Sequence, residues 1–165
     1  MNPGTALTIG FIGVDLVNKK AVLLNDGNFK LNATNLSSIA EAIVTVLSKP
    51  DLVKNRLCLI HDLFISQNEV LKVAEEEFGA KFDVSYVNTE DLRRESEAGF
   101  AAGDPTAIFG LVKATAWGSD SPCAWGVDDD SKILGLAPKD LREEVIKVMT
   151  QMKLRAWIES IHFAS

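Results

Sequence analysis

Apolar residues recur at helical spacing along 36–47, run unbroken at 57–60 and alternate with polar ones along 82–86. Leu36, Ile39, Ala40, Ile43, Val46 and Leu47 fall on one stripe, which predicts a helix from about Leu36 to Ser48 with Asn35 as its N-cap. Pro50 ends it, because the residue before a proline is pushed out of the α region. Leu57 to Ile60 reads as a short strand buried on both faces, as in a parallel sheet. Ser66 and Glu69 form a capping box for a second helix, Gln67 to Phe78. Ile65 and Val70 are placed as its hydrophobic staple, and Gly79 as its C′ residue. Phe82, Val84 and Tyr86 alternate with Asp83 and Ser85, a strand with one wet face. Upstream, Asp26-Gly27 sits between two β-prone runs in KAVLLNDGNFKLNA (20–33) and predicts a β-hairpin.

Beyond residue 88, helices dominate. Thr89 caps a third, with Glu90 and Asp91 at its positive end, closing near Gly99 to Gly103. Asp104-Pro105 opens a fourth, with Ile108, Leu111, Val112, Thr115 and Ala116 inward and its end at Trp117-Gly118. Residues 119–135 read as a loop, and Pro138 starts a last helix with Leu141, Val145, Val148 and Met149 inward. Whether the tail, 153–165, continues that helix stays open. Strands alternating with helices argue an α/β fold with at least one parallel pair. Four or five short strands are a thin sheet for so many apolar helix stripes, which points to part of a larger domain.

Composition narrows the function classes. The chain has 165 residues, 47% of them hydrophobic and 24% charged, as expected of one soluble domain. A net charge of −6 disfavours nonspecific nucleic-acid binding, which needs cations on phosphates. No apolar run approaches the roughly 18–20 residues that span a bilayer, and the N-terminus has no basic region of a secretory signal. Two cysteines, Cys58 and Cys123, make no disulfide framework; a reducing, cytoplasmic setting is the simplest reading.

Candidate chemistry is sparse. Gly4, Gly10 and Gly13 invite a phosphate-loop reading, but the spacing is not GxGxxG and no amphipathic helix follows, so a loop feeding the next strand is favoured. His61 follows an apolar run, where α/β folds place ligands, yet no nucleophile lies nearby. Asp128-Asp129-Asp130 lacks the spacing of a calcium loop and reads better as a solvated turn than as a metal site. With only two histidines, His61 and His162, and no Cys/His cluster at ligand spacing, the sequence argues against a zinc site. Trp117 and Trp125 flank a polar loop; core or interface packing is the plain reading and pocket lining the sharper one. Cys123 has no adjacent cation to activate it.

The run from Asn18 to Gly79, with its DGN turn, TNLSSIAEAIVTVL helix, Arg56 to His61 segment and SQNE helix start, resembles the C-terminal half of NmrA-like, isoflavone-reductase-like proteins. These are atypical members of the short-chain dehydrogenase/reductase superfamily. The resemblance extends from about Gly10 to Met149, so 1–152 is the NmrA-like portion and 153–165 a tail. It implies an incomplete NAD(P)-binding Rossmann-like fold: a C-terminal sheet edge plus a small substrate-binding lobe. In that family the Gly-rich loop for NADP(H), and in the reductases a catalytic Lys, lie in the other half. Neither has a counterpart here, so the resemblance carries over no catalytic residue, no cofactor contact and no metal ligand. NADP(H) is implied for the full-length family and no cofactor is expected for this chain alone. The family's cleft would border Gly10 to Gly13 and the helix Pro105 to Gly118, making Phe11, Phe109 and Trp117 pocket-lining candidates.

Two function classes follow from the resemblance. One is the substrate-lobe portion of an NADP(H)-dependent reductase of small aromatic or apolar molecules, not catalytic alone. The other is an NAD(P) redox sensor that binds transcription regulators. A truncated remnant is the third possibility. Exposed apolar faces would serve a protein partner or self-association.

Overall fold

A computed structural model describes residues 12–162, and side chains through residue 152. Its strands are β1 (Val14–Asp15), β2 (Lys20–Leu24), β3 (Lys30–Ala33), β4 (Leu63–Ser66) and β5 (Asp83–Val87). Its helices are α1 (Leu36–Ser48), α2 (Gln67–Phe78), α3 (Thr89–Ala101), α4 (Ile108–Trp117) and α5 (Leu141–His162). Short 3-10 turns at Pro50–Leu52 and Pro105–Ala107 follow α1 and precede α4.

The strands form two small sheets. In one, β2 is central, antiparallel to β1 and parallel to β5, with Lys20 opposite Asp83 and Leu24 opposite Val87. The parallel pair predicted from the alternation of elements is therefore present. In the other, β3 runs antiparallel to β4, with Lys30 opposite Ser66 and Ala33 opposite Leu63. The core joins these sheets to α2 and α5 through Val14, Leu23, Ile65, Val70, Ala74 and Val145. Helix α3 packs on α4. Their approach is close: a Cβ on Gly110 would lie 2.0 Å from Ser96 Oγ.

The capping box is formed as the sequence predicts. Ser66 Oγ accepts from Glu69 N–H, the Glu69 carboxylate accepts from Ser66 N–H at 2.8 Å, and Gly79 closes the helix at φ 59°. Both staple residues, Ile65 and Val70, are buried. The bounds of α1 and α2, Asp104 as a cap and the end of α4 at Trp117 also agree. Helix α5 starts at Leu141 instead of Pro138, because the Asp140 carboxylate caps Glu143 N–H. It continues to His162, and Val145, Val148 and Met149 point inward as the pattern requires.

Other expectations are overturned. The Asp26-Gly27 turn exists, with Gly27 at φ 72° and its N–H on Leu24 O at 3.0 Å, but it joins no hairpin. Both edges of β2 are taken by β1 and β5, so β3 leaves into the second sheet. The 57–60 run is not a buried strand. Leu57 is 78% exposed, no strand pairs with the run among the described residues, and the strand lies later, at 63–66. The cap of α3 is Asn88, whose side chain accepts from Glu90 N–H and Asp91 N–H. Thr89 instead bonds Asn25 through its backbone N–H and its hydroxyl. On β5, Tyr86 is exposed because nothing among the described residues covers that face.

Two helices are also rotated from their predicted faces. On α1 the buried residues are Ser38 and Ala42, while Leu36, Ile43 and Leu47 of the stripe are exposed. On α4 the buried residues are Ala114, Ala116 and Trp117, while Ile108 and Val112 are exposed. On α1 small residues take the inner face and the larger apolar side chains are left outside; on α4 Ala116 is inward as expected and shares the inner face with Ala114 and Trp117.

Candidate functional site

The turn at 25–28 and the start of α2 are locked together. Asn68 N–H donates to Gly27 O at 3.1 Å, and Asn68 Nδ2 donates to Asp26 O at 2.9 Å and Asn28 Oδ1 at 2.7 Å. Lys30 Nζ meets the Glu69 carboxylate at 2.6 Å. Beside them Gln67, fully buried, accepts from Leu24 N–H at 2.7 Å and donates to Ile12 O at 2.7 Å. One side-chain amide thus satisfies backbone groups that no strand reaches, which buried backbone requires. Burial alone would raise the Glu69 carboxyl, but the bonds from Lys30 and Ser66 outweigh it and hold it below the usual range. This explains why the DGN turn and the SQNE helix start occur together: they are the two sides of one hydrogen-bonded contact.

Gly13 settles the phosphate-loop question for the described part of the glycine run. Its φ is 93°, and a Cβ there would lie 2.2 Å from Gln67 Nε2, so the space a phosphate would need is filled. A β-strand follows it, not a helix. Gly13 therefore offers no phosphate cradle.

The loop 119–135 covers two backbone edges. Asn32 N–H donates to Cys123 O at 2.8 Å, and the Asn32 side chain bonds Trp125 N–H and Gly126 O, so this loop flanks β3. Further on, Asp130 bonds Arg56 Nη1 at 2.8 Å and Leu59 N–H at 3.0 Å. Asp129 Oδ2 accepts from His61 N–H at 2.8 Å and from Ser131 Oγ at 2.5 Å. Asp129 and Asp130 are therefore not a solvated turn; they clamp the segment 56–61. Burial would raise the Asp129 carboxyl, yet the bonds from Ser131 and His61 and the nearby imidazole together lower it.

His61 Nδ1 also lies 2.7 Å from Asp129 Oδ2, but outside hydrogen-bond geometry. That oxygen is already committed to the His61 backbone and to Ser131. Ser131 Oγ donates to Asp129 Oδ2 and accepts from His61 N–H at 3.3 Å, so it is tied into the clamp. The cluster holds a segment in place. Among the described residues no group of His, Cys, Asp and Glu could hold a metal.

Of the three pocket candidates, the two described, Phe109 and Trp117, stand at opposite ends of α4. Phe11 lies outside the described residues. Phe109 sits in the first turn of α4 and is 61% exposed, whereas Trp117 ends the same helix inside the core, its indole N–H buried without a partner. Two of the open clefts among the described residues lie elsewhere. One, of about 470 Å³, is bounded by β4, α2 and the start of α5. The other, of about 430 Å³, lies between Val44 on α1 and the loop at Leu134 to Leu136. Sequence reasoning missed Gln67, Asn68 and the Asp129–Asp130 clamp. A polar residue just inside a helix start is the one signal that could have pointed to the first two.

No protein-family model matches the chain. It is 27% identical over 143 residues to Oxidoreductase poxI of Penicillium oxalicum, covering 84% of this chain and 45% of that protein. The structure of Citrobacter sp. triphenylmethane reductase complexed with NADP(H) aligns with a TM-score of 0.59 at 20% identity, over 90% of this chain and 50% of that one. Escherichia coli NADPH-dependent quinone oxidoreductase QOR2 complexed with NADPH aligns at 0.60 and 16% identity, over 88% and 50%. The fold is thus a mixed α/β arrangement shared with roughly half of such oxidoreductases, and the chain spans about half the length of the curated relatives it matches. No helix among the described residues is long and apolar enough to cross a membrane.

Proposed function

We propose that these residues are the C-terminal, substrate-lobe portion of an NmrA-like, NADP(H)-dependent reductase of small aromatic or apolar molecules in the cytoplasm. In this reading the cofactor loop and the catalytic Lys belong to a preceding half, which packs over α1. The observation that carries it is the apolar face of α1. Leu36, Ile43, Val44 and Leu47 are all more than half exposed on one helix, beside the 57–60 run, which has a strand's composition but no ladder. A solvent-facing stripe of this kind marks an interaction surface. Of the lining candidates Phe109 meets substrate, and Trp117 supports the wall from the core.

The test joins these residues to an upstream strand–helix unit carrying a Gly-rich loop, taken from the longer reading frame. NADPH fluorescence is then compared with that of the 165-residue chain. The joined protein binds NADPH and the chain alone neither binds nor oxidises it. A joined protein that ignores NADPH overturns the reading. If NADPH binds but quinone and dye substrates are never turned over, the redox-sensor alternative replaces reduction.

A further inference from the structure

The cleft between β4, α2 and the start of α5 has an uneven charge pattern. Its floor is apolar, with Leu63 and Phe64 from β4 and Leu141 from α5. All three carboxylates that border it are engaged. Asp62 accepts Asn35 N–H at 2.7 Å, Glu69 holds Lys30, and Glu76 holds Arg142. Two bordering ammonium groups, Lys72 and Lys139, have no ion pair or hydrogen bond among the described residues. Lys139 is half-buried and Lys72 exposed. Glu69 and Glu76 lie one helical turn either side of Lys72 on α2, but their carboxylates pair with Lys30 and Arg142.

We propose that this cleft binds a small amphipathic carboxylate, its apolar body on Phe64 and Leu141 and its anion between Lys72 and Lys139. The volume, about 470 Å³, suits a ligand of that size. An ammonium that is partly desolvated gains most from a charge-assisted bond, and the apolar floor selects against free inorganic anions. The site is separate from the α1 face and does not depend on the oxidoreductase reading.

The test titrates the 165-residue protein with 3-phenylpropionate, its neutral amide and inorganic phosphate, followed by amide shifts in a ¹⁵N-labelled sample. The acid shifts Leu63, Phe64, Val73 and Leu141, while amide and phosphate bind at least about tenfold more weakly, as expected for the loss of one charge-assisted bond or of the apolar contact. Lys72→Gln and Lys139→Gln each weaken the acid about tenfold and leave the melting curve unchanged, and Lys49→Gln, on the far end of α1, does neither. Equal binding of acid and amide overturns the anion subsite. Equal binding of phosphate overturns the amphipathic ligand. No shifts in the cleft with the acid at millimolar concentration overturn the site altogether.

Discussion

The contact between the 25–28 turn and the start of α2 differs sharply from the surface made by α1 and 57–60. In the first, polar groups find partners inside the chain: Gln67 serves β1 and β2, Asn68 serves the turn, and Glu69 serves Ser66 and Lys30. In the second, large apolar side chains face solvent, and the 57–61 backbone pairs with no strand among the described residues but is held by Asp129, Asp130 and Ser131 of a loop and by Thr34. Both regions carry residues of core composition. What separates them is whether the covering element lies within these residues. A self-sufficient contact fixes the position of α2, whereas the α1 surface is left uncovered among the described residues.

The comparison can be broken by mutation, starting where the effect is largest. Gln67→Ala strands the Leu24 N–H and the Ile12 carbonyl in a buried setting. We expect a loss of about 3 kcal/mol in urea unfolding, from several unpaired buried groups; a loss below about 1 kcal/mol would show that water replaces the amide. Gly13→Ala meets both a left-handed φ of 93° and the Gln67 amide at 2.2 Å. It should cost about 2 kcal/mol, and most of that cost remains in a Gln67→Ala background, because the new Cβ also lies 2.4 Å from the Val22 carbonyl oxygen.

The acid clamp gives a smaller, pH-dependent effect. The folded Asp129 carboxyl lies below its ordinary value of 3.8, so its stabilisation is fully present above that value and is lost as pH falls through the folded one. Asp129→Asn should therefore lower stability by about 1 kcal/mol at neutral pH and flatten the acid limb of the stability curve below pH 3.8. An unchanged acid limb would assign that limb to the other lowered carboxyls, Asp15, Asp26, Glu69, Glu75 and Asp104. Smallest is Leu47→Glu on the open face, where the wild-type side chain is 76% exposed. It should change unfolding by less than about 0.5 kcal/mol, yet abolish self-association or pairing with an upstream half in sedimentation. A large destabilisation would mean that the α1 face is already covered within the chain.

Much of the local structure was legible in the residues themselves. Pro50, the Ser66–Glu69 box, Gly79 and Asp104 act over one helical turn, so their meaning does not depend on what lies elsewhere, whereas Asn35 stands at the N-cap position of α1 without a side-chain capping bond. The bounds of α1 and α2 follow from them, as does the parallel pairing implied by alternation. The candidate site was barely legible, because its contacts span long separations. Asp130 meets Arg56 and Leu59, and Asn32 meets Cys123 to Gly126, across segments that no local pattern connects.

Only the tertiary structure decided which way the helices face and where the strands pair. Periodicity shows that α1 has an apolar stripe, but burial depends on the neighbour, and here Ser38 and Ala42 were small enough to turn inward instead. The Asp26-Gly27 turn could serve a hairpin or a docking contact. The occupied edges of β2 and the donors on Asn68 chose the second. Capping and turn chemistry are properties of neighbouring residues; register, rotation and the coverage of an edge are settled by competition among distant ones.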